Sequence, residues 1–296
     1  MVTDRDIAIV QALANYYVLS RPQVQRLCFE SDVSGRVTRR RLQLLVDARL
    51  INRQQMLFCA PHGGTPTTVY FPAPLGNELL AKHFDDDRHL LTPTLTPIQH
   101  HIPHWIAVAE THIAFDQSLN GQSDLSIEPW VNEWDVVNKD ETAPERRFRL
   151  YRLITETPKL VCAPDAGFVL NARGHRKVFF LEQDRATSGV KQVADGKSRG
   201  YAAMAERRLH RVMFPEATVE GFNVLCITPD RKRRDALRLA MNNRPGSELW
   251  RFAAADDLEN DPFHQPIFYP CLGEPTSIIK PSAGCTTTHP REDTPS

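Results

Sequence analysis

The chain has 296 residues, 41 % of them hydrophobic and 8 % aromatic, and its 36 basic and 36 acidic side chains give a formal net charge of zero. This composition supports packed cores and excludes a generally polycationic protein, and no apolar run approaches the roughly 20 residues that span a bilayer. We therefore expect a soluble protein of about two domains with no membrane partner. The opening residues lack a basic segment followed by an apolar one, so we also expect no secretory signal and a cytoplasmic location.

The first two helices are predicted from capping residues. Thr3 and Asp6 resemble a capping box, and apolar residues then recur at helical spacing to about Leu19. Ser20 is suited to cap a second short helix with Pro22 in its first turn, where a missing N–H is harmless. A turn follows at about residues 30–35.

A third predicted helix, at about residues 34–48, carries a concentration of positive charge. Between Ser34 and Arg53 there are six arginines and one acid, Asp47, so this segment has a charge of 6 − 1 = +5. The 3.6-residue period predicts a buried apolar face of Val37, Leu44, Leu45 and Ala48. The opposite face fits a major groove, where arginine binds guanine or phosphate and glutamine binds adenine. We therefore predict that double-stranded DNA is bound by Arg36, Arg39, Arg40, Arg41 and Gln43.

Two strands joined by a flexible tip are predicted next. Apolar residues at 56–58 and 69–71 flank the Pro-His-Gly-Gly-Thr-Pro segment at 61–66. We interpret this segment as the wing of a winged helix-turn-helix and predict that His62 and Thr65 contact DNA. A helix at Pro74–Phe84 closes this first domain, predicted to span residues 1–84, and is suited to pair with a second copy in a homodimer. Residues 85–103, with three prolines, are predicted to be a linker.

The second domain is predicted to span residues 104–270. Its helical and strand patterns follow the order αβββαβ with a further αβ, which favours a mixed sheet flanked by helices. The predicted fold class is therefore α/β (α+β), with an N-terminal winged helix-turn-helix followed by a mixed-sheet domain. Residues 271–296 are rich in Pro, Thr and Ser, and we expect a disordered tail.

Acidic residues cluster at the ends of predicted strands in this second domain. Asp165 precedes one strand, whereas Glu182 and Asp184 end the next and would share a face, since side chains alternate along a strand. Converging carboxylates hold hard cations such as Mg²⁺, which activate water for phosphodiester hydrolysis. The predicted metal ligands are Asp165, Glu182 and the helix-borne Glu110. A purely structural pairing of these carboxylates with surface cations such as Arg185 stays open.

The acidic pattern looks like the core of the PD-(D/E)xK nucleases, whose fold is that of restriction endonucleases. It departs from that core at Asp184, where lysine is usual. Because that lysine orients or polarises the nucleophile in the family, the resemblance implies that Lys191 or Lys197 replaces it from the following helix, or that the site no longer cuts DNA. A competent site would use Asp165, Glu182, Asp184 and Lys197.

Histidines also occur near the start of the second domain. His100, His101 and His104 are close together, but no second group of metal-ligand residues accompanies them in the sequence. We interpret them as solvent-facing residues at the beginning of a helix.

Short motifs along residues 3–243 together resemble the plasmid replication-relaxation family of bacterial mobile elements. They are Thr3-Asp4-Arg5-Asp6-Ile7, Arg39-Arg40-Arg41-Leu42, Leu50-Ile51, Val69-Tyr70-Phe71, Leu75-Gly76, His104 with Ala107-Val108-Ala109, Pro164-Asp165, Leu181-Glu182-Gln183-Asp184-Arg185, and Lys197 with Tyr201. The resemblance implies a DNA-binding protein that acts in replication, transfer or transcriptional control of such an element, with other replication or transfer proteins as partners. The alternative is a Mg²⁺-dependent DNA nickase or endonuclease.

Overall fold

A computed structural model describes residues 2–29, 31–56, 67–259 and 261–280 and shows a mixed α/β protein. Helices are combined with one mixed sheet and two antiparallel sheets, so the predicted fold class is confirmed at this level. The predicted wing tip, with His62 and Thr65, lies outside the described residues. Within the described ranges, no helix is long and apolar enough to cross a membrane.

The N-terminal part combines helices with a small antiparallel sheet. The helices are α1 (Asp4–Tyr16), α2 (Arg21–Cys28), α3 (Arg36–Asp47) and α4 (Pro74–Phe84). The strands β1 (Leu19–Ser20), β2 (Ile51–Gln55) and β3 (Thr68–Pro72) pair in the order β1-β3-β2. The predicted capping residues begin the first two helices: the Thr3 N–H donates to Asp6 Oδ2 at 2.8 Å, and the Ser20 N–H donates to Gln23 Oε1 at 2.9 Å.

Helix α3 presents a different face to the core from the one predicted. Val37 and Leu44 are 52 % and 47 % exposed, and Ala48 is also exposed. The buried residues are Thr38, Leu42 and Leu45. Thr38 tolerates burial because its hydroxyl donates a 2.7 Å hydrogen bond to Asp32. Hydropathy alone therefore misplaced the apolar stripe, although Leu45 was assigned correctly.

The second part is built on a five-stranded sheet with the order β10-β9-β8-β7-β4. Its strands, with the β5–β6 hairpin, are β4 (Leu125–Asn132), β5 (Arg152–Thr155), β6 (Leu160–Cys162), β7 (Ala166–Ala172), β8 (His175–Gln183), β9 (Phe222–Thr228) and β10 (Trp250–Ala254). Strand β7 pairs antiparallel with β4 and β8, whereas β8, β9 and β10 run parallel. Apart from the β5–β6 hairpin, this is the strand succession that the sequence predicted.

Helices cover the sheet and connect its strands. They are α5 (Ile102–Ser118), α6 (Pro144–Arg147), α7 (Val190–Glu206), α8 (His210–Met213) and α9 (Arg231–Met241), and 3₁₀ helices lie at Asp87–Leu91, Ser247–Leu249 and Ala255–Glu259. The predicted order αβββαβ followed by αβ is observed as α5-β4-β7-β8-α7-β9-α9-β10. The short helices α6 and α8 were not predicted.

The two parts share a hydrophobic core. Tyr17 and Phe71 of the N-terminal part belong to the same buried cluster as Phe115 of α5 and Phe168 of β7. The predicted linker packs at this junction, because the Tyr17 hydroxyl donates to the Leu95 carbonyl at 3.2 Å. The predicted linker therefore contacts the N-terminal part of the chain at Leu95.

The beginning of the predicted tail packs against the second part. The Ile279 side chain is only 6 % exposed, and its N–H donates to the Phe263 carbonyl at 2.9 Å. Phe268 and Thr276 also form a β-bridge. Residues 271–280 thus belong to the folded part of the chain, and residues 281–296 lie outside the described ones.

Candidate metal centre

A pocket of about 400 Å³ lies where β4, β7 and β8 bring their ends together beneath α5 and α7. Ala166 at the start of β7 pairs with Leu181 of β8, and it also pairs with Asn132 at the end of β4. The residues next to these pairs, Asp165, Glu182 and Glu133, consequently line one pocket. Antiparallel register therefore brings together three carboxylates that are far apart in the sequence.

Three of the pocket residues form a group suited to hold a cation. One ligand atom each from His104, Glu133 and Asp165 lies within 4.8 Å of the others. His104 Nε2 is 3.5 Å from Asp165 Oδ1 and 4.0 Å from Glu133 Oε1. Carboxylate oxygens favour Mg²⁺ or Mn²⁺, and imidazole favours later transition metals, so the donor set fits a divalent cation.

Electrostatics in this group oppose the charged form of Glu133 and favour that of Asp165. Burial raises the pKa of Glu133, and the negative charge of Asp165 raises it further. Burial likewise opposes the charge on Asp165, but Lys197 and His104 more than compensate, so the Asp165 pKa is lowered. A bound cation would relieve the repulsion between these two carboxylates.

Lys197 enters the pocket from α7 and pairs with Glu182. Its Nζ is 2.7 Å from Glu182 Oε2, and the Tyr201 hydroxyl donates to Glu182 Oε1 at 2.6 Å. Burial would lower the pKa of Lys197, but the carboxylates of Glu182 and Asp165 raise it overall. Burial also raises the pKa of Glu182, to about 7, although Lys197 opposes the shift.

The two helix-borne lysines considered from the sequence are therefore placed differently. Lys197 lines the pocket, whereas Lys191, at the beginning of the same helix, is exposed and is not among the described residues lining it. Of the two positions, only that of Lys197 allows contact with a molecule bound beside Asp165.

Asp184 and Glu110 make other contacts. Arg233 of α9 donates two hydrogen bonds to the Asp184 carboxylate, Nε to Oδ2 at 2.7 Å and Nη2 to Oδ1 at 2.9 Å. Glu110 lies in the middle of α5, where Arg26 Nη2 is 2.5 Å from its Oε1 and the Gln23 amide donates to its Oε2 at 3.0 Å. The structure does not bring Glu110 to the cation-binding group. Asp184 lines the pocket, but its carboxylate is paired with Arg233.

Sequence reasoning missed the contributions of His104 and Glu133. The structure places His104 in the first turn of α5 with its side chain 22 % exposed against Asp165, rather than facing solvent as interpreted. Glu133 has no recognisable motif around it. The available signal was its position three residues after the strand predicted at 125–130, since strand ends at one sheet edge converge.

Several residues predicted to contact DNA lie on one exposed surface of α3. Arg36, Arg39, Arg40 and Gln43 are exposed, and within the described part of the chain no acidic side chain pairs with the three arginines. Arg41 differs, because its guanidinium donates to the carboxylate of Asp6, which is 2 % exposed. The positive surface of α3 thus consists of three arginines, with Arg41 bound to α1.

The fold and pocket together define a mixed α/β protein in which a half-buried lysine accompanies a candidate cation-binding group. This chain belongs to the replication-relaxation family, whose sequence model matches residues 10–216, so the family suspected from the motifs is confirmed. Membership supports a role in the replication or relaxation of a plasmid or mobile element. No curated protein and no solved structure matched the chain.

Proposed function

We propose that this protein binds double-stranded DNA of a plasmid or mobile element through α3 and hydrolyses a phosphodiester bond in the pocket with the help of a divalent cation. The observation that carries the proposal is the convergence of Asp165, Glu182 and Lys197 with His104 and Glu133 in one pocket. The replacement of the usual motif lysine by Asp184 does not argue against cleavage, because Lys197 brings a half-buried positive charge to the site from α7.

Each pocket residue has a distinct role in this proposal. His104, Glu133 and Asp165 would hold Mg²⁺ or Mn²⁺, which supplies charge neutralisation and activation of water. Lys197 stays protonated between Glu182 and the Ala163 carbonyl, 3.4 Å away, and stabilises negative charge on the phosphate. Glu182 holds the ammonium group in place and Tyr201 holds Glu182, so both act as positioning residues.

Helix α3 supplies the proposed contact with the duplex. Helices α2 and α3, followed by the paired strands β2 and β3, have the element order of a winged helix-turn-helix. Arg36, Arg39 and Arg40 are suited to contact phosphates and guanine edges. Pairing with a second copy and contacts with other replication or transfer proteins stay predictions.

A plasmid relaxation assay tests the cleavage proposal. Supercoiled plasmid carrying the element's own DNA is incubated with the full-length protein and Mg²⁺ or Mn²⁺. We expect relaxed plasmid with the wild type, and none with Asp165→Ala or Lys197→Met. Lys191→Met is the matched control, because it removes an exposed lysine from the same helix, and it should retain cleavage.

Two results would contradict the proposal. Supercoiled plasmid that stays intact with both metals would leave a protein that binds DNA without cutting it. Relaxation that persists in folded Asp165→Ala and Lys197→Met would place the cleavage elsewhere. Far-ultraviolet circular dichroism of each variant shows whether a loss of activity reflects the site or a loss of folding.

A further inference from the structure

A second, mostly apolar pocket of about 280 Å³ adjoins the candidate metal centre. Its walls include aromatic rings from three separate segments, Trp105 of α5, Trp134 after β4 and Tyr151 before β5. Ligand pockets usually measure roughly 300–1,000 Å³, so this one is small and suits a single ring system. We call it the aromatic pocket.

The aromatic pocket and the candidate metal centre share two wall residues, His101 and Glu133. The Trp105 indole N–H donates to Glu133 Oε1 at 2.6 Å, and the His101 ring stacks on Trp105 with centroids 5.3 Å apart. One side of this shared wall faces carboxylates and lysine, and the other faces aromatic rings. A molecule with an anionic group joined to a flat ring could therefore occupy both pockets.

The two pockets differ in their charged side chains, so they would take different halves of such a molecule. The metal-centre pocket contains the cationic side chains of Lys197 and Arg185 beside its carboxylates, whereas the described lining of the aromatic pocket contains no lysine or arginine. A phosphate would therefore find cationic partners on the first side, whereas the described lining of the second side offers it no lysine or arginine. Aromatic rings stack on any nucleobase, since every base has a π face.

We propose that the aromatic pocket binds the nucleobase next to the scissile phosphate, so that the substrate at the point of cleavage is an unpaired nucleotide of DNA. The inference rests on the proposed function, because it takes the metal-centre pocket as the phosphate site. A base in the aromatic pocket cannot remain stacked in a duplex, so cleavage takes place where the strands have separated or a base has turned outward. Negative supercoiling promotes such separation.

A binding experiment without metal tests this inference separately from cleavage. Full-length protein in EDTA is titrated into a dye-labelled single strand of oligo-dT, or into an abasic strand of equal length, and fluorescence anisotropy is recorded. Both strands carry the same phosphates, so the ratio of their affinities measures the contribution of the bases. We expect oligo-dT to bind about tenfold more tightly or better, as stacking on aromatic side chains usually produces.

Two variants locate the effect in the pocket. Tyr151 is half-buried, and Tyr151→Ala should remove most of the preference for oligo-dT. Tyr151→Phe keeps the ring and should retain the preference, which provides the matched control. The affinities for the two strands are compared with the wild-type protein alone, so that result remains valid even if Tyr151→Ala folds poorly.

The outcomes distinguish this inference from the proposed function. Equal affinities for the two strands, no binding of either strand, or an unchanged preference in folded Tyr151→Ala would overturn the aromatic pocket as a base site. A base preference that depends on Tyr151 in a protein that never relaxes plasmid supports the base site and overturns cleavage. Plasmid relaxation without a base preference supports cleavage and overturns the base site.

Discussion

Replacing Asp184 by alanine should destabilise the protein without removing its chemistry. The Asp184 and Arg233 side chains are 8 % and 11 % exposed, so both charges of the pair are largely removed from water. The substitution leaves the Arg233 guanidinium buried without its carboxylate. One acceptor remains, because Arg233 also donates to the Ser188 carbonyl at 2.8 Å.

The expected loss in the free energy of unfolding follows from this geometry. Removing one partner of a buried ion pair costs about 3–5 kcal/mol, and the remaining Ser188 contact places Asp184→Ala near the lower value, at about 3 kcal/mol. For a folded unit of roughly 150–250 residues, each kcal/mol lowers Tm by about 2–4 °C, so the expected decrease is about 6–12 °C. The double variant Asp184→Leu/Arg233→Met removes both charges and should recover at least half of the loss.

Urea denaturation followed by tryptophan fluorescence measures the change in free energy, and plasmid relaxation is assayed below the Tm of the variant. We expect folded Asp184→Ala to retain relaxation within a few-fold of the wild type, in contrast to Asp165→Ala. A variant with wild-type stability and no relaxation would refute this reasoning, since it would make Asp184 part of the reacting site. A double variant less stable than Asp184→Ala would refute the assignment of the pair.

Three further predictions follow from other contacts. Lys197→Met should abolish plasmid relaxation and leave duplex binding intact in a gel shift, and weakened binding would contradict its assignment to the cleavage site. Burial raises the pKa of Asp135 to about 6, so the folded state holds the carboxyl proton more tightly than the unfolded chain does. The protein therefore loses stability as the pH rises from about 4 to 6. Asp135→Asn should therefore be more stable than the wild type at pH 7, by up to about 3 kcal/mol, and no more stable than the wild type at pH 4. Equal urea midpoints for the two proteins at pH 7 would contradict this expectation. Arg36→Ala/Arg40→Ala should weaken duplex binding and reduce the slope of log K against log salt by about 2. Arg41→Ala should instead lower Tm. Unchanged duplex affinity in the double variant would argue against α3 as the contact.

Local signals in the sequence were sufficient for most of the elements. The capping residues Thr3 and Ser20 begin α1 and α2, and α4 occupies the predicted residues. These features depend on neighbours within one helical turn, so no tertiary information is needed to find them. The buried face of α3 was not predictable in the same way, because Thr38 is buried through a hydrogen bond to Asp32, six positions earlier.

The candidate site was only partly predictable because its residues depend on strand register. Asp165, Glu182 and Lys197 carried recognisable motif signals, and they line one pocket. The expectation that Asp184 shares a face with Glu182 assumed that the strand continues, but β8 ends at Gln183. Beyond that residue the alternation of side chains no longer applies. Glu133 reaches Asp165 through the pairing of β4 with β7, which no local pattern of residues reports.

Helix α5 contacts both the pocket and the N-terminal helices, and this packing has a functional consequence. Its first turn carries His104 into the pocket, and six residues later Glu110 pairs with Arg26 of α2. Further along, the Tyr16 hydroxyl of α1 donates to Asp116 at 2.6 Å. At 1.5 Å per residue, the contact with α2 lies only about 9 Å along the helix axis from the pocket end. Because these contacts and the shared core fix the N-terminal helices against α5, DNA bound at α3 would meet the pocket at a set offset. Cleavage would then be confined to one position relative to the bound sequence, and the base entering the aromatic pocket would be chosen by that offset rather than by its identity.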